Sequence, residues 1–293
     1  MGKGKIIKGI GGFYYIDCGS NIFECKARGI FRKKKIIPMV GDDVVFSVLD
    51  EGKKLGIIDE ILERKTELFR PSVANVDQAI VVFSVMKPNP NYCLLDHFLV
   101  LAENEDLEIV ICINKIDLAT NREYEEIVDV YKNTGYKIIL SSITEEAGIN
   151  ELRDVLRDRT TVFAGPSGVG KSSLLNEIAP NFKLKTGEIS RKNSRGKHTT
   201  RHVELLKVNS TGWVVDTPGF SALSLEFIKD EQKLAYHFPE FLDYIPSCKF
   251  VSCIHINEPK CAVKDAIKEG KVHPQRYKNY VRMLEEIKEN RRY

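Results

Sequence analysis

Residues 165–172 read Gly-Pro-Ser-Gly-Val-Gly-Lys-Ser, a complete G-x-x-x-x-G-K-S, and both of its flanks have the character such a loop requires. TTVFA (160–164), β-branched and aromatic, predicts a strand before it, and SSLLNEIA (172–179) predicts a helix after it. Glycines here let backbone N–H groups curl around phosphate oxygens, and the helix N-terminus adds a favourable dipole. The cradle is assigned to Gly165, Pro166, Ser167, Gly168, Val169, Gly170 and Ser173. Lys171 would reach the β- and γ-phosphates and the Ser172 hydroxyl would ligate Mg2+.

The surrounding sequence agrees with that unit. From about residue 78 the apolar runs AIVVFSV, LEIVICI and KIIL alternate with the amphipathic segments LLDHFLVLAENE, YEEIVDVYKN and GINELRDVL. Continuous apolar strands between such helices imply a parallel sheet covered on both faces, hence an α/β domain.

A phosphate loop does not choose a base. Asn114-Lys115-Ile116-Asp117 ends the run LEIVICI, which puts its side chains at the carboxyl edge of the sheet, where ligands bind in such folds. The Asp117 carboxylate can accept two hydrogen bonds from guanine N1–H and the 2-amino group, a donor pair that adenine lacks. This argues against a P-loop ATPase or small-molecule kinase. Ser141 and Ser142, closing KIIL, fall where a second base-contacting loop is expected. Asp216-Thr217-Pro218-Gly219 supplies a carboxylate near Mg2+ and a glycine N–H for the γ-phosphate. Before it lies a basic segment expected to order on γ-phosphate binding, whose Thr199 or Thr200 would give the metal a second hydroxyl.

In Ras-like GTPases the P-loop comes first and N-K-x-D late. Here the order is NKID, Ser141-Ser142, P-loop, Thr199-Thr200, DTPG, so the domain reads as circularly permuted. Phe220 stands after DTPG where Ras-like enzymes carry a water-orienting glutamine, and it can form no hydrogen bond. Slow unassisted hydrolysis is expected, with His198 the candidate for positioning the water. The DTPGF loop leads towards the carboxy-terminal segment, which predicts that nucleotide state reorients that segment.

Upstream, KIIKGI, FYYID, IFECKA, DVVFSVLD and LGIIDEI are five short strands separated by turns and by the basic loop RGIFRKKK. They fit a small antiparallel barrel such as an OB-fold, a nucleic-acid or ribosome-type binding surface, although an SH3-like barrel has the same pattern. Downstream, Cys248-x4-Cys253-x-His255-x5-Cys261 offers three thiolates and one imidazole, a closed tetrahedral set for structural zinc. A short segment with few apolar residues gains most of its order from such a metal. His202, His237 and His273 read as surface or supporting groups. Cys18, Cys25, Cys93 and Cys112 read as reduced thiols, since seven cysteines without a secretion signal argue against disulfides. The tail from Pro274 reads as a charged helix.

With these pieces in order, the chain closely resembles the bacterial ribosome small-subunit-dependent GTPase A family over nearly its whole length. The resemblance rests on Arg28-Gly29-Ile30-Phe31-Arg32 and Val40-Gly41-Asp42 in the barrel, on Arg70-Pro71-Ser72-Val73-Ala74-Asn75-Val76-Asp77-Gln78 in the link, on the permuted motif order and on the zinc pattern. It implies GTP hydrolysis stimulated by the 30S subunit and a role in late maturation of that subunit. The expected architecture is multidomain: an OB-fold barrel at 1–68, which with the zinc module would contact 16S rRNA, a circularly permuted GTPase at 69–222 and a small helical zinc-binding domain at 223–293.

The formal net charge of +3 conceals three basic regions, 1–65 at +4, 183–207 at +6 and 264–293 at +4, around an acidic remainder. Such a pattern suggests a polyanion touched at several places. A second reading keeps the barrel as the active nucleic-acid-binding part and the GTPase as its regulator. At 43% hydrophobic the chain can build real cores, and no apolar run approaches the roughly 20 residues of a membrane span. The lysine-spiked start MGKGKIIKGIGG is no signal peptide. A cytoplasmic monomer with no membrane partner is expected.

Overall fold

The structure, a computed structural model, describes residues 1–69, 71–179, 203–216 and 224–290. Strands β1 (Gly2–Ile10), β2 (Phe13–Asp17), β3 (Ile22–Ala27), β4 (Asp43–Asp50) and β5 (Leu55–Ile61) form a closed barrel in the order β1-β2-β3-β5-β4. β1 pairs with β4 to close it, and β3 with β5 is its parallel pair. This Greek-key closure makes the barrel OB-like and decides against the SH3-like alternative. Alternation along the strands turns Ile6, Ile16, Phe23, Val44, Phe46 and Ile58 into the interior. The segment RGIFRKKK, expected as a loop, instead contains a short helix, α1 (Gly29–Lys33). Phe31 buries against the barrel while Arg32 and Lys33 sit in the last turn, where cations favour the helix dipole.

Val40-Gly41-Asp42 and the link motif form one joint. Gly41 has φ 94°, and a Cβ there would lie 2.0 Å from the Ala74 carbonyl oxygen, so the close approach of the two backbones requires glycine. Ala74 N donates to Val40 O at 2.8 Å, and Asn75 Nδ2 donates to Gly41 O at 3.0 Å. Arg64 clasps the buried Asp42 through both carboxylate oxygens, at 2.7 and 3.0 Å. A hairpin that the sequence did not signal, β6 (Glu67–Phe69) with β7 (Ser72–Ala74), completes this joint.

The central sheet has the order β10-β9-β8-β11-β13-β12. Its elements run β8 (Gln78–Ser84), α2 (Tyr92–Asn104), β9 (Glu108–Asn114), α3 (Asn121–Tyr131), β10 (Lys137–Ser141), α4 (Ile149–Val155), β11 (Thr160–Ala164), α5 (Lys171–Ile178), β12 (Leu205–Lys207) and β13 (Trp213–Val215). Every residue of β8 and β11 is buried, so both faces of these strands are covered. The sheet is not wholly parallel as expected, because β12 pairs with β13 in antiparallel fashion at the edge. The turn between them, closed by Val208 N donating to Gly212 O at 3.0 Å, is too short for a parallel crossover.

Beyond residue 224 come α6 (Pro239–Leu242), α7 (Ala262–Lys268) and α8 (Pro274–Asn290), whose core includes Phe238, Phe241, Tyr280 and Met283. This module sits on α2 and α3 through a buried polar network. Arg276, fully buried, donates to both Glu240 oxygens at 2.6 and 3.1 Å and to Asp96 Oδ1 at 2.6 Å. Asn279 and the Tyr131 hydroxyl also donate to Asp96, at 2.6 and 3.0 Å. Among the described residues no helix is long and apolar enough to cross a membrane.

Removing one member of a buried ionic set leaves the others uncompensated, whereas replacing the set by apolar groups is often neutral. Arg276→Met is therefore expected to cost about 3–5 kcal/mol in urea denaturation, and the fully apolar variant Asp96→Leu, Glu240→Leu, Arg276→Met with Tyr131→Phe and Asn279→Leu, which orphans neither donor to Asp96, to recover most of that loss.

Candidate nucleotide site and metal centre

β11 delivers the chain to Gly165, whose φ of 129° and close approach to Val82 exclude a side chain: a Cβ would lie 2.0 Å from the Val82 carbonyl oxygen. The loop then exposes Ser167 and Gly168, buries Val169, and enters α5 at Lys171 with Gly170 as N-cap. Lys171 is 7% exposed and donates to the carbonyls of Gly165 at 2.7 Å and Pro166 at 2.6 Å. Ser172 and Ser173, half-buried, occupy the first turn of α5.

The Asn114–Asp117 segment is fastened to the Gly165–Gly170 loop by side chains. Asn114 closes β9, donates from Nδ2 to Val169 O at 2.8 Å and accepts from the Ser141 hydroxyl at 3.1 Å. Lys115, in left-handed conformation, donates to Gly168 O at 2.7 Å and also to Lys87 O. Ile116 packs on the core, and Asp117 follows in a 3-10 turn with its Oδ1 accepting from the Ser142 hydroxyl at 2.6 Å. Ser141 and Ser142 are themselves fully buried, so their hydroxyls orient Asn114 and Asp117. The sequence signalled the two serines but not this orienting task, and gave no sign of Lys87, whose part is a backbone carbonyl.

β13 runs parallel to β11, which brings Asp216 to the same carboxyl edge as Gly165. Asp216 N donates to Glu204 O at 2.8 Å. His198, Thr199, Thr200, His202, Gly219 and Phe220 lie outside the described residues.

In the carboxy-terminal module Cys248, Cys253, His255 and Cys261 converge, with their ligand atoms all within 4.8 Å of one another. His255 Nδ1 lies 3.6 Å from Cys248 Sγ and 3.4 Å from Cys261 Sγ, and those two sulfurs are 4.0 Å apart. With Zn–S near 2.3 Å, a tetrahedron has sulfur–sulfur edges of about 3.8 Å, so the cluster fits a four-coordinate zinc ion. Burial pushes the Cys253 thiol up to about 12 and lowers the His255 imidazole, which leaves the imidazole neutral as a metal requires. Supports that the spacing did not announce hold the ligand loop: Glu258 accepts from Ile254 N and Ile256 N at 2.9 Å each, and the Tyr277 and Tyr280 hydroxyls donate to His255 O at 2.7 Å and Ile254 O at 2.9 Å. The four cysteines outside the cluster are free thiols, Cys25 and Cys112 buried, Cys18 and Cys93 half-buried. His273 faces Asp129 at 3.6 Å and His237 caps onto Lys233 O at 2.9 Å, both away from the cluster.

An OB-like barrel, an α/β sheet in which the NKID segment precedes the G-x-x-x-x-G-K-S loop, and a Cys3His module together define a circularly permuted GTPase with two flanking units. Comparison with known proteins agrees. Residues 61–226 match the family described as RsgA GTPase, and residues 3–58 match the RsgA N-terminal domain. A small ribosomal subunit biogenesis GTPase RsgA from Alkaliphilus metalliredigens is 56% identical over 293 residues, covering 100% of both chains. Its namesake from Caldanaerobacter subterraneus subsp. tengcongensis is 50% identical, covering 99% of this chain and 98% of its own. Of solved structures, YloQ, described as a circularly permuted GTPase, has a TM-score of 0.83 at 43% identity, over 99% of this chain and 96% of its own. YjeQ from Thermotoga maritima has a TM-score of 0.86 at 38% identity, over 97% and 98%. The chain belongs to the RsgA GTPase family.

Burial pushes Lys171 down to about 8. A phosphate bound at Lys171 would favour the ammonium form and raise this value, so affinity is expected to be full below about pH 8 and to decline above it. The Kd for GTP is expected to rise up to about tenfold per pH unit from pH 8 to 10, and Lys171→Arg, which stays charged, to flatten that slope in fluorescent-nucleotide titrations.

Proposed function

We propose that this protein hydrolyses GTP to GDP and phosphate in biogenesis of the small ribosomal subunit, the role its relatives' names give them. The observation that carries the GTP reading is the bonding of Asn114 to Val169, Lys115 to Gly168 and Ser142 to Asp117, which makes the base-reading and phosphate loops one unit. Asp117 reads the guanine edge, with Asn114, Ile116, Ser141 and Ser142 fixing its loop. Gly165 to Ser173 cradle the phosphates, and Lys171 leaves its loop carbonyls for the β- and γ-phosphates. Ser172, together with Thr199 or Thr200 and with the Asp216 carboxylate, would hold Mg2+, which would supply charge neutralisation for the phosphates. Gly219 would offer its N–H to the γ-phosphate, and His198 is our candidate for orienting the attacking water, since Phe220 can form no hydrogen bond.

Three units at about 1–68, 69–222 and 223–293 divide the work. The barrel and the carboxy-terminal module contact 16S rRNA, the latter held in shape by one structural zinc on Cys248, Cys253, His255 and Cys261. The protein acts in the cytoplasm as a monomer, slowly alone and faster on the 30S subunit. Two features support the rRNA contacts: the basic surplus of residues 1–65 and 264–293, and exposed Ile30, Ile36 and Ile37 beside Arg32 and Lys33 to Lys35 on the barrel.

GTP turnover is expected to rise at least tenfold on adding purified 30S subunits, and the stimulation to weaken steadily from 50 to 200 mM salt as polyanion contacts are screened. Equal turnover with and without subunits would refute the small-subunit role. Asp117→Asn is expected to exchange guanosine for xanthosine nucleotide preference in competition binding. Metal analysis should give one zinc per chain, and chelation should lower the melting temperature of the carboxy-terminal module while leaving GTP binding intact.

A further inference from the structure

The strand β12 that leads towards Asp216 is also where the barrel touches the GTPase sheet. Lys8 of β1 and Glu204 form an isolated antiparallel bridge, and Lys8 Nζ pairs with Glu204 Oε2 at 2.7 Å. The β1–β2 register breaks between Ile6 and Lys8, a bulge of the kind that re-aims a side chain away from its own ladder. A second pair, Lys207 Nζ to Asp17 Oδ2 at 3.4 Å, joins β12 to the end of β2, with the Lys207 amine 5.0 Å from the Trp213 ring centroid. Glu204 is thus held twice: by the barrel through Lys8, and by the catalytic edge through its own carbonyl, which accepts the Asp216 N–H at 2.8 Å.

The two attachments of the barrel differ in strength. The joint at Gly41, Asp42, Arg64 and Asn75 is largely buried and covalently continuous with the sheet. The β1–β12 contact depends on pairs with Lys8 and Glu204 31% and 34% exposed, and Lys207 and Asp17 32% and 13% exposed. Partly exposed pairs of this kind are individually weak, and two of them bias a docking equilibrium by about fivefold. A barrel fixed at one end and lightly held at the other can shift on the sheet when its basic surface is engaged, without breaking its core.

We propose that Glu204 is a positioning residue for GTP hydrolysis, coupling engagement of the barrel by small-subunit RNA to the Asp216 end of the catalytic edge through Lys8 and, beside it, Asp17–Lys207. This inference rests on the small-subunit reading above. The Lys8–Glu204 pair sets β12 against the barrel, and the Glu204 carbonyl sets the Asp216 backbone, so a barrel held on RNA fixes where the Asp216 carboxylate stands relative to the P-loop.

The test is steady-state GTP turnover of the full chain against 30S concentration, for the parent, Glu204→Lys, Lys8→Glu and the charge-exchanged double variant. Glu204→Lys is expected to lower the stimulated kcat about fivefold, with the half-saturating subunit concentration and the KM for GTP within twofold of the parent. The double variant, in which the pair is re-formed with reversed sign, is expected to recover most of that kcat. Asp17→Asn, which opens the second pair from the barrel side, should lower stimulated kcat in the same direction even if Glu204→Lys folds poorly. A stimulated parent with unaffected variants, a kcat loss that charge exchange fails to restore, or a change confined to subunit affinity overturns the coupling alone. A parent that subunits do not stimulate overturns the small-subunit reading and the coupling together.

Discussion

The hydrogen bonds from Asn114 to Val169 and from Lys115 to Gly168 are the constraint on which the nucleotide site depends. More than fifty residues separate the partners in sequence, so nothing local holds the NKID segment beside the glycine-rich loop. In a permuted domain the two loops come from strands joined in an unusual order, and their spacing has to be restored by tertiary contacts. The buried Asn114 amide does this well, because an unpaired donor at that depth would be costly, and the part-exposed Lys115 adds a second, lighter tie. Ser141 and Ser142 extend the same fastening to β10, giving a rigid rim along the carboxyl edge of three strands.

Much of this architecture was legible in the residues. The apolar runs of β8, β9 and β11 have no polar alternation, so burial on both faces followed directly, and the P-loop flanks fixed where the strand ends. The Cys248 to Cys261 spacing likewise put four donors within reach of one ion. What escaped notice depends on tertiary partners. RGIFRKKK carries too much charge to announce a helix, and only the pocket that accepts Phe31 makes one. Arg276 belongs to a tail that read only as a charged helix, yet it is fully buried, because Asp96 and Glu240 come from elements far away in sequence. Glu258 stood inside the cysteine segment without a recognisable spacing, since its partners are backbone amides rather than side chains.

The carboxy-terminal module bears on an expectation drawn from chain order, that its connection to the DTPGF loop would let nucleotide state reorient it. Its seat on α2 and α3 is a buried arginine between two carboxylates, reinforced by Asn279 and Tyr131, with His97 and Glu286 paired at the rim. Such a set resists piecemeal separation. The module therefore belongs mechanically to α2, and α2 begins just after the Lys87 carbonyl that receives Lys115. Of the two flanking units, the barrel is the one with a light, exposed contact against the catalytic edge.

The same buried arginine has a consequence for how the protein is made. Asp96 leaves the ribosome 180 residues ahead of Arg276. At about 5–20 residues per second, that interval is roughly 10–40 s during which a carboxylate destined for full burial must stay hydrated. The GTPase sheet can close in that time only with a wet, acidic patch where α2 and α3 meet. Helix α8 then completes folding by neutralising that patch, so the GTPase sheet acquires its final stability only after those 180 further residues have been made.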